Sequence, residues 1–243
     1  HLTTSSLEIL AAYRKRQILQ DLLEVLKFLQ ELKSTNEKIE NLLKAGSYYE
    51  AISLLLQNKN RSEKYSEYKC TELFKQQLQD TIDSVEIALD KSLNGITTKF
   101  DAKLYSELIN GYKLLGKAHL AMDQLHMNFI STIHTSAFNV LKENLDQTAI
   151  ADQKLLFEQM CENLSLEQIT NCITQLSKSF WRILVCYYQV KMWHHNYKLY
   201  SQDDDNAFND EYFQEKLKKG ELRIWTDVQA KITIFINSTK LSH

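Results

Sequence analysis

Three histidines, His119, His126 and His134, follow one another at spacings of seven and eight residues, with Asp123 between the first two. At about 100° per helical residue these spacings bring all three near one face. Imidazoles beside a carboxylate are ligands that zinc takes. The run lacks a pair one turn apart, as in H-x-x-x-H, and no fourth ligand is apparent. The expectation is therefore a half-buried histidine stripe with no metal and no cofactor.

His194 and His195 follow Trp193 directly. Adjacent helical residues point about 100° apart and do not easily chelate one ion. Their expected place is a helix C-terminus, where positive charge complements the dipole. Asp203, Asp204, Asp205 and Asn206 supply clustered oxygens. They lack the glycine and distal glutamate of a calcium loop, which reads as a solvated loop. Neither a phosphate-cradling glycine motif nor a G-x-S-x-G nucleophile turn occurs, and five glycines leave little material for one. The remaining carboxylates sit on charged helix faces, so no catalytic residue is assigned.

Cys70, Cys161, Cys172 and Cys186 are scattered, without a C-x-x-C pair. This is the usage of reduced thiols rather than of a disulfide framework. Phe180, Trp181, Tyr187, Tyr188 and Trp193 cluster in one segment with few basic neighbours. Packing against neighbouring helices accounts for them better than stacking on bases.

The elements that position these residues read as helices throughout. The 243 residues contain no proline and five glycines, so tight turns are scarce. A helix is expected over Thr3 to about Lys33. Within it Leu19, Leu22, Leu26 and Leu29 follow the 3-4-3 spacing of a coiled-coil seam, flanked by Leu23 and Leu32. Ser34, Thr35 and Asn36 are expected to break this helix and to cap the next. A helical hairpin should then turn at Gly46, its second helix reaching Gln57, with a polar loop over Asn58–Ser62. A long helix is expected over about 63–99, and another from Asp101, which Gly116 either ends or interrupts. Others are expected over 117–145, to Glu162, over 165–199 with Ser165 and Gln168 as a capping box, and over 210–239. The weak junction lies at Asp146–Asp152 and the clearest loop at Ser201–Asn209. The expected class is all-α, with long amphipathic helices and irregular hairpins forming an elongated rod or bundle. It divides into an assembly helix over 1–33 and a stacked region over 34–243, with a break near 146–165.

A net charge of −2 gives no electrostatic footprint for nucleic acid. Mean hydropathy is −0.38; no run of about 18 apolar residues could span a bilayer, and no secretory signal stands at the start. The chain reads as a piece of a longer protein.

Three tracts together carry a resemblance: LEILAAYRKRQILQDLL from Leu7, YKLLGKAHLAMDQLHMNF from Tyr112 with IHTSAF from Ile133, and LRIWTDVQAKI from Leu222. In this order they resemble the syndetins, subunits specific to the endosome-associated recycling (EARP) tethering complex. MDQLHMNF is the most specific tract; the stretch from Asn144 to Asn163 and the acidic loop near Asp204 fit less well. The resemblance implies a non-catalytic helical subunit that acts in recycling endocytosed cargo to the plasma membrane and in SNARE-dependent fusion. It implies three further subunits as partners, SNARE contact, and peripheral residence on recycling endosomes and the trans-Golgi network from the cytoplasm. The segment would be an N-terminal to middle helical region, followed by more protein. Leu19, Leu22, Leu26 and Leu29 are then the candidate partner-binding residues. Two other readings stay open: a free-standing helical scaffold or adaptor that binds a peptide in a groove, and a helical enzyme using the His119, His126 and His134 face.

Overall fold

A computed structural model describes residues 2–64, 69–145, 156–200 and 211–239, with side chains described for all of these except 2–6, 69–71, 74, 197–200 and 211–212. Among the described residues there are eight helices and no strand. They are α1 (Leu2–Ala45), α2 (Tyr48–Glu63), α3 (Lys69–Gly95), α4 (Ala102–Leu114), α5 (Ala118–Asn144), α6 (Phe157–Glu162), α7 (Leu166–Tyr200) and α8 (Glu211–Ser238). Packing divides the chain into two units, His1–Ala88 and Leu89–His243.

In the first unit, α1 and α2 form a hairpin. Gly46 turns it, at φ +80°. Its N–H donates to the carbonyl of Leu43 at 3.1 Å, and that of Ser47 to Leu42 at 3.0 Å. This is the Schellman arrangement, which satisfies the orphan carbonyls of a helix end. Val25, Phe28, Leu32 and Ile39 of α1 are buried with Tyr48, Ala51, Ile52 and Leu55 of α2. Each large side chain so buried contributes about 1.5–3 kcal/mol. The Arg61 guanidinium bonds Glu31 at 2.8 Å and lies over the Phe28 ring. Both ion-pair partners are substantially exposed, so the pair fixes register more than it adds stability.

Two expected breaks are absent. Helix α1 runs unbroken through Ser34, Thr35 and Asn36, so an assembly helix bounded at Lys33 has no structural end there. The Ser34 and Thr35 hydroxyls donate to the Glu31 carbonyl at 2.9 and 2.8 Å, bonding back into their own helix rather than capping a new one. Helix α2 likewise continues through Asn58–Ser62, where the Ser62 hydroxyl donates to the Lys59 carbonyl at 2.7 Å. Polar residues without glycine or proline leave helical φ and ψ open, and the buried hairpin face decides the outcome.

In the second unit α5 is central, packed on α4, α6, α7 and α8. Its Leu125, Phe129, Ile133 and Ala137 are fully buried. Gly116, at φ +69°, ends α4 in a second Schellman arrangement: its N–H donates to Lys113 at 2.9 Å, and that of Lys117 to Tyr112 at 2.9 Å. Asp101 caps the start of α4 through Lys103 N–H and Leu104 N–H. Ser165 and Gln168 form the expected reciprocal box, at 2.8 and 3.3 Å, beside the start of α7. The Tyr112 hydroxyl donates to Asp90, tying α4 to the last turns of α3. The junction at Asp146–Asp152 and the loop at Ser201–Asn209 lie outside the described residues.

The glycines separate two effects on stability. Gly116→Ala should destabilise by about 1–2 kcal/mol, because the left-handed conformation crowds a Cβ. Gly95 has ordinary φ and open space around it, so Gly95→Ala should be neutral or stabilise by up to about 1 kcal/mol. Urea unfolding of the two variants reads both signs directly.

Candidate partner-binding surface

Helix α1 carries two apolar faces. At about 100° per residue, Val25, Phe28, Leu32 and Ile39 centre on one direction, and Leu19, Leu22, Leu26 and Leu29 on another roughly 110° round. Only the first is covered by α2. Leu19, Leu22 and Leu26 are exposed at 54%, 42% and 54%, while Leu29, at the border of the two faces, is half-buried. Nearer the N-terminus Leu7, Leu10 and Ile18 are also exposed, beside Arg14 and Lys15, with Leu7 and Leu10 on the direction of the Val25 face before the hairpin core begins. A leucine ladder of this kind offers apolar knobs to another helix and no polar group for chemistry.

The three histidines of α5 do not converge. His119 stacks on Phe213 of α8, with ring centroids 5.0 Å apart. His134 is exposed. His126 meets the Tyr187 hydroxyl of α7 at 2.9 Å, and that hydroxyl donates to the Leu217 carbonyl of α8 at 2.7 Å. The tyrosine proton being committed to the carbonyl, the imidazole donates from Nε2, which fixes the neutral tautomer. Burial, reinforced by the Lys216 charge, lowers the His126 pKa to about 4 against the opposing pull of Asp123. Lys216 is itself bonded to Asp123. Among the described residues no group of three or more His, Cys, Asp or Glu side chains could hold a metal.

His194 was expected at a helix end as a cation. Instead α7 continues to Tyr200, and His194 is buried, with Nε2 2.8 Å from the Tyr105 hydroxyl. Burial lowers its pKa to about 4, so it is neutral here. Tyr105 packs edge-on against Trp193, and its own burial raises its pKa well above 10. His195 is exposed. Cys161, Cys172 and Cys186 are free, buried thiols; burial pushes Cys161 up to about 12 and Cys172 to about 11, away from thiolate reactivity. The side chain of Cys70 lies outside the described residues, as do Asp203, Asp204, Asp205 and Asn206.

The aromatic cluster splits. Phe180 and Tyr187 are core residues, but Trp181 and Tyr188 are exposed, against the expectation that the whole cluster packs. Gly220 was not singled out in the sequence. A Cβ there would lie 2.1 Å from His126 Nε2 and 2.4 Å from the Tyr187 hydroxyl. Its one legible sign is a glycine in the interior of a long helical pattern, which marks either a cost or a close approach.

Two outcomes follow from this packing. Gly220→Ala should destabilise by about 1–3 kcal/mol through overpacking, despite alanine's higher helix propensity, as thermal unfolding would show. Both buried histidines have folded pKa values below the unfolded value of 6.5. Their neutral forms therefore contribute stability that is complete above about pH 6.5 and is lost as pH falls toward 4. The slope reaches about 1.4 kcal/mol per pH unit for His194, and is less for the partly exposed His126. Unfolding measured from pH 7 to 4.5 should show this loss, and His194→Gln should flatten it while lowering stability at pH 7.

The family model "Vacuolar-sorting protein 54, of GARP complex" matches residues 1–193. The chain is 32% identical over 262 residues to the syndetin of Gallus gallus, covering 99% of this chain and 27% of that protein. It is 32% identical over 256 residues to the syndetin of Rattus norvegicus, and 31% over 255 residues to that of Mus musculus, covering 26% of each. The chain thus spans about a quarter of the length of the curated relatives it matches. No solved structure matches it significantly. With its leucine-faced first helix and most of its helical body inside the matched region, the chain belongs to the family of vacuolar-sorting protein 54, of GARP complex.

Proposed function

We propose that this chain is the helical assembly region of a non-catalytic subunit in a multisubunit endosomal vesicle-tethering complex. The observation that carries the reading is the second apolar face of α1, where Leu19, Leu22 and Leu26 stand exposed beside a hairpin already closed by other residues. An unpaired leucine ladder on a helix interior is suited to a partner helix, and its exposure in a monomer is otherwise costly in solubility. Membership of a family described by a complex gives that partner a class: another subunit. In this reading the assembly segment is the part of α1 before the hairpin core, within 1–33, and residues 34–243 supply the stacked helices. The chain needs no cofactor and binds no nucleic acid. No helix among the described residues is long and apolar enough to cross a membrane, which suits peripheral attachment to recycling endosomes and the trans-Golgi network through the complex. The assembled tether then holds vesicle and target membranes for SNARE-dependent fusion and returns endocytosed cargo to the plasma membrane.

Leu22→Asp combined with Leu26→Asp, made in the full-length protein, should abolish co-purification of the other subunits. Because both side chains are exposed, circular dichroism and thermal unfolding of the 243-residue chain should change little. An intact complex with the double variant would refute the seam, and a homodimer with no hetero-partner would turn the reading toward a free-standing scaffold.

A further inference from the structure

A different apolar surface lies on the second unit, between α7 and α8. Lys191 of α7 bonds Glu221 of α8 at 2.5 Å, while Leu184 and Tyr188 line one groove with Ile224 and Trp225. As the α7 numbers fall the α8 numbers rise, so the two helices run antiparallel along this groove. On α7 Ile173, Trp181, Leu184, Tyr188 and Met192 recur at helical spacing, and the charged residue among them, Lys191, is the one paired with Glu221. On α8 the free face presents Leu222, Trp225, Ile232 and Ile236. Trp181 is 70% exposed and Trp225 48%, and Tyr188 is exposed as well. Scattered single apolar residues on a surface need no explanation; large aromatics in register on two packed helices do. Tryptophan and tyrosine are also the side chains that concentrate binding energy.

The carboxylates at the end of the groove, Glu215 and Glu221, are each paired with a lysine, Lys219 and Lys191, which leaves its edges basic. Lys178 and Arg182 flank the outer edge of the α7 stripe, and Lys218 stands on the free face of α8. A second copy of this chain seated here would bring lysines and an arginine against their own kind, at a cost. An occupant with carboxylates along its flanks would complement both the apolar floor and the basic rim.

We propose that the α7–α8 groove docks an amphipathic helix of another polypeptide, apolar at i, i+3 or i+4 and i+7, with acidic residues on both flanks. This site is separate from the leucine face of α1 and does not depend on it. The groove supplies the apolar holes, Trp181 and Trp225 anchor the helix, and Lys178, Arg182 and Lys218 set its polarity of charge.

The test uses the 243-residue chain and two labelled helical peptides about five turns long. Both carry leucine at the apolar positions; one has glutamate on its flanks and the other lysine. Fluorescence anisotropy should show the acidic peptide binding about tenfold or more tightly than the basic one, with the difference shrinking at high salt. Tryptophan emission should shift to the blue on binding. Trp181→Ala should weaken binding by about tenfold or more, the loss of a hot-spot anchor, while leaving the melting temperature near that of the wild type. Arg182→Glu with Lys218→Glu should reverse the preference between peptides. Equal affinity for the two peptides, or no effect of Trp181→Ala, would overturn the proposal. So would a Trp181-dependent self-association in light scattering, or Trp181-dependent binding to vesicles of phosphatidylcholine and phosphatidylserine in place of peptide.

Discussion

The second unit is organised around one close approach. Helix α8 comes so near α5 and α7 at Gly220 that no side chain fits. That proximity lets Tyr187 reach the Leu217 carbonyl while receiving the His126 proton. The chain of bonds crosses three helices and leaves none of its members short of a partner. Were α8 further out, the buried Tyr187 phenol would lose the carbonyl that takes its proton, and buried groups without partners cost more than ordinary hydrogen bonds gain. The neighbouring His119–Phe213 stack and the Asp123–Lys216 pair join the same two helices, α5 and α8. Two of the histidines that first suggest chemistry, His119 and His126, thus help to hold long helices in register.

Much of this was legible because helix ends have local causes. Gly46 and Gly116 each need left-handed backbone, and Ser165 with Gln168 satisfies its own orphan donors, so these positions declare themselves in a few residues of sequence. What did not read correctly was the meaning of serine, threonine and asparagine inside a helix. Ser34, Thr35 and Ser62 look like caps, yet their hydroxyls fold back onto Glu31 and Lys59 once the hairpin face is buried. A cap and a back-bonded hydroxyl use the same residue types, and tertiary burial chooses between them. Gly220 was invisible for a related reason: its value lies in partners 94 and 33 positions away, His126 and Tyr187, and no local pattern encodes such a distance.

The first helix shows why periodicity alone is ambiguous. A leucine-rich stretch with apolar residues on two directions gives a broad stripe, and sequence cannot say which part the protein keeps for itself. The structure divides it: Val25, Phe28, Leu32 and Ile39 close the hairpin, while Leu19, Leu22 and Leu26 remain in solvent. Because the closed face is complete, the free face contributes little to the hairpin's own stability. It can serve the proposed recognition without trading against folding.

Catalysis and assembly make opposite demands on buried polar groups. An active site keeps perturbed groups within reach of a substrate, where their protonation changes do work. Here burial lowers His126 and His194 and raises Tyr105 and Tyr187, but every one of these groups has its partner in a neighbouring helix. A substrate would have to break those bonds before meeting the groups. The side chains that do face solvent in quantity are leucines, tryptophans and a tyrosine, which offer area rather than reactivity. Polar groups turned inward and apolar area turned outward suit the proposed role of holding other helices.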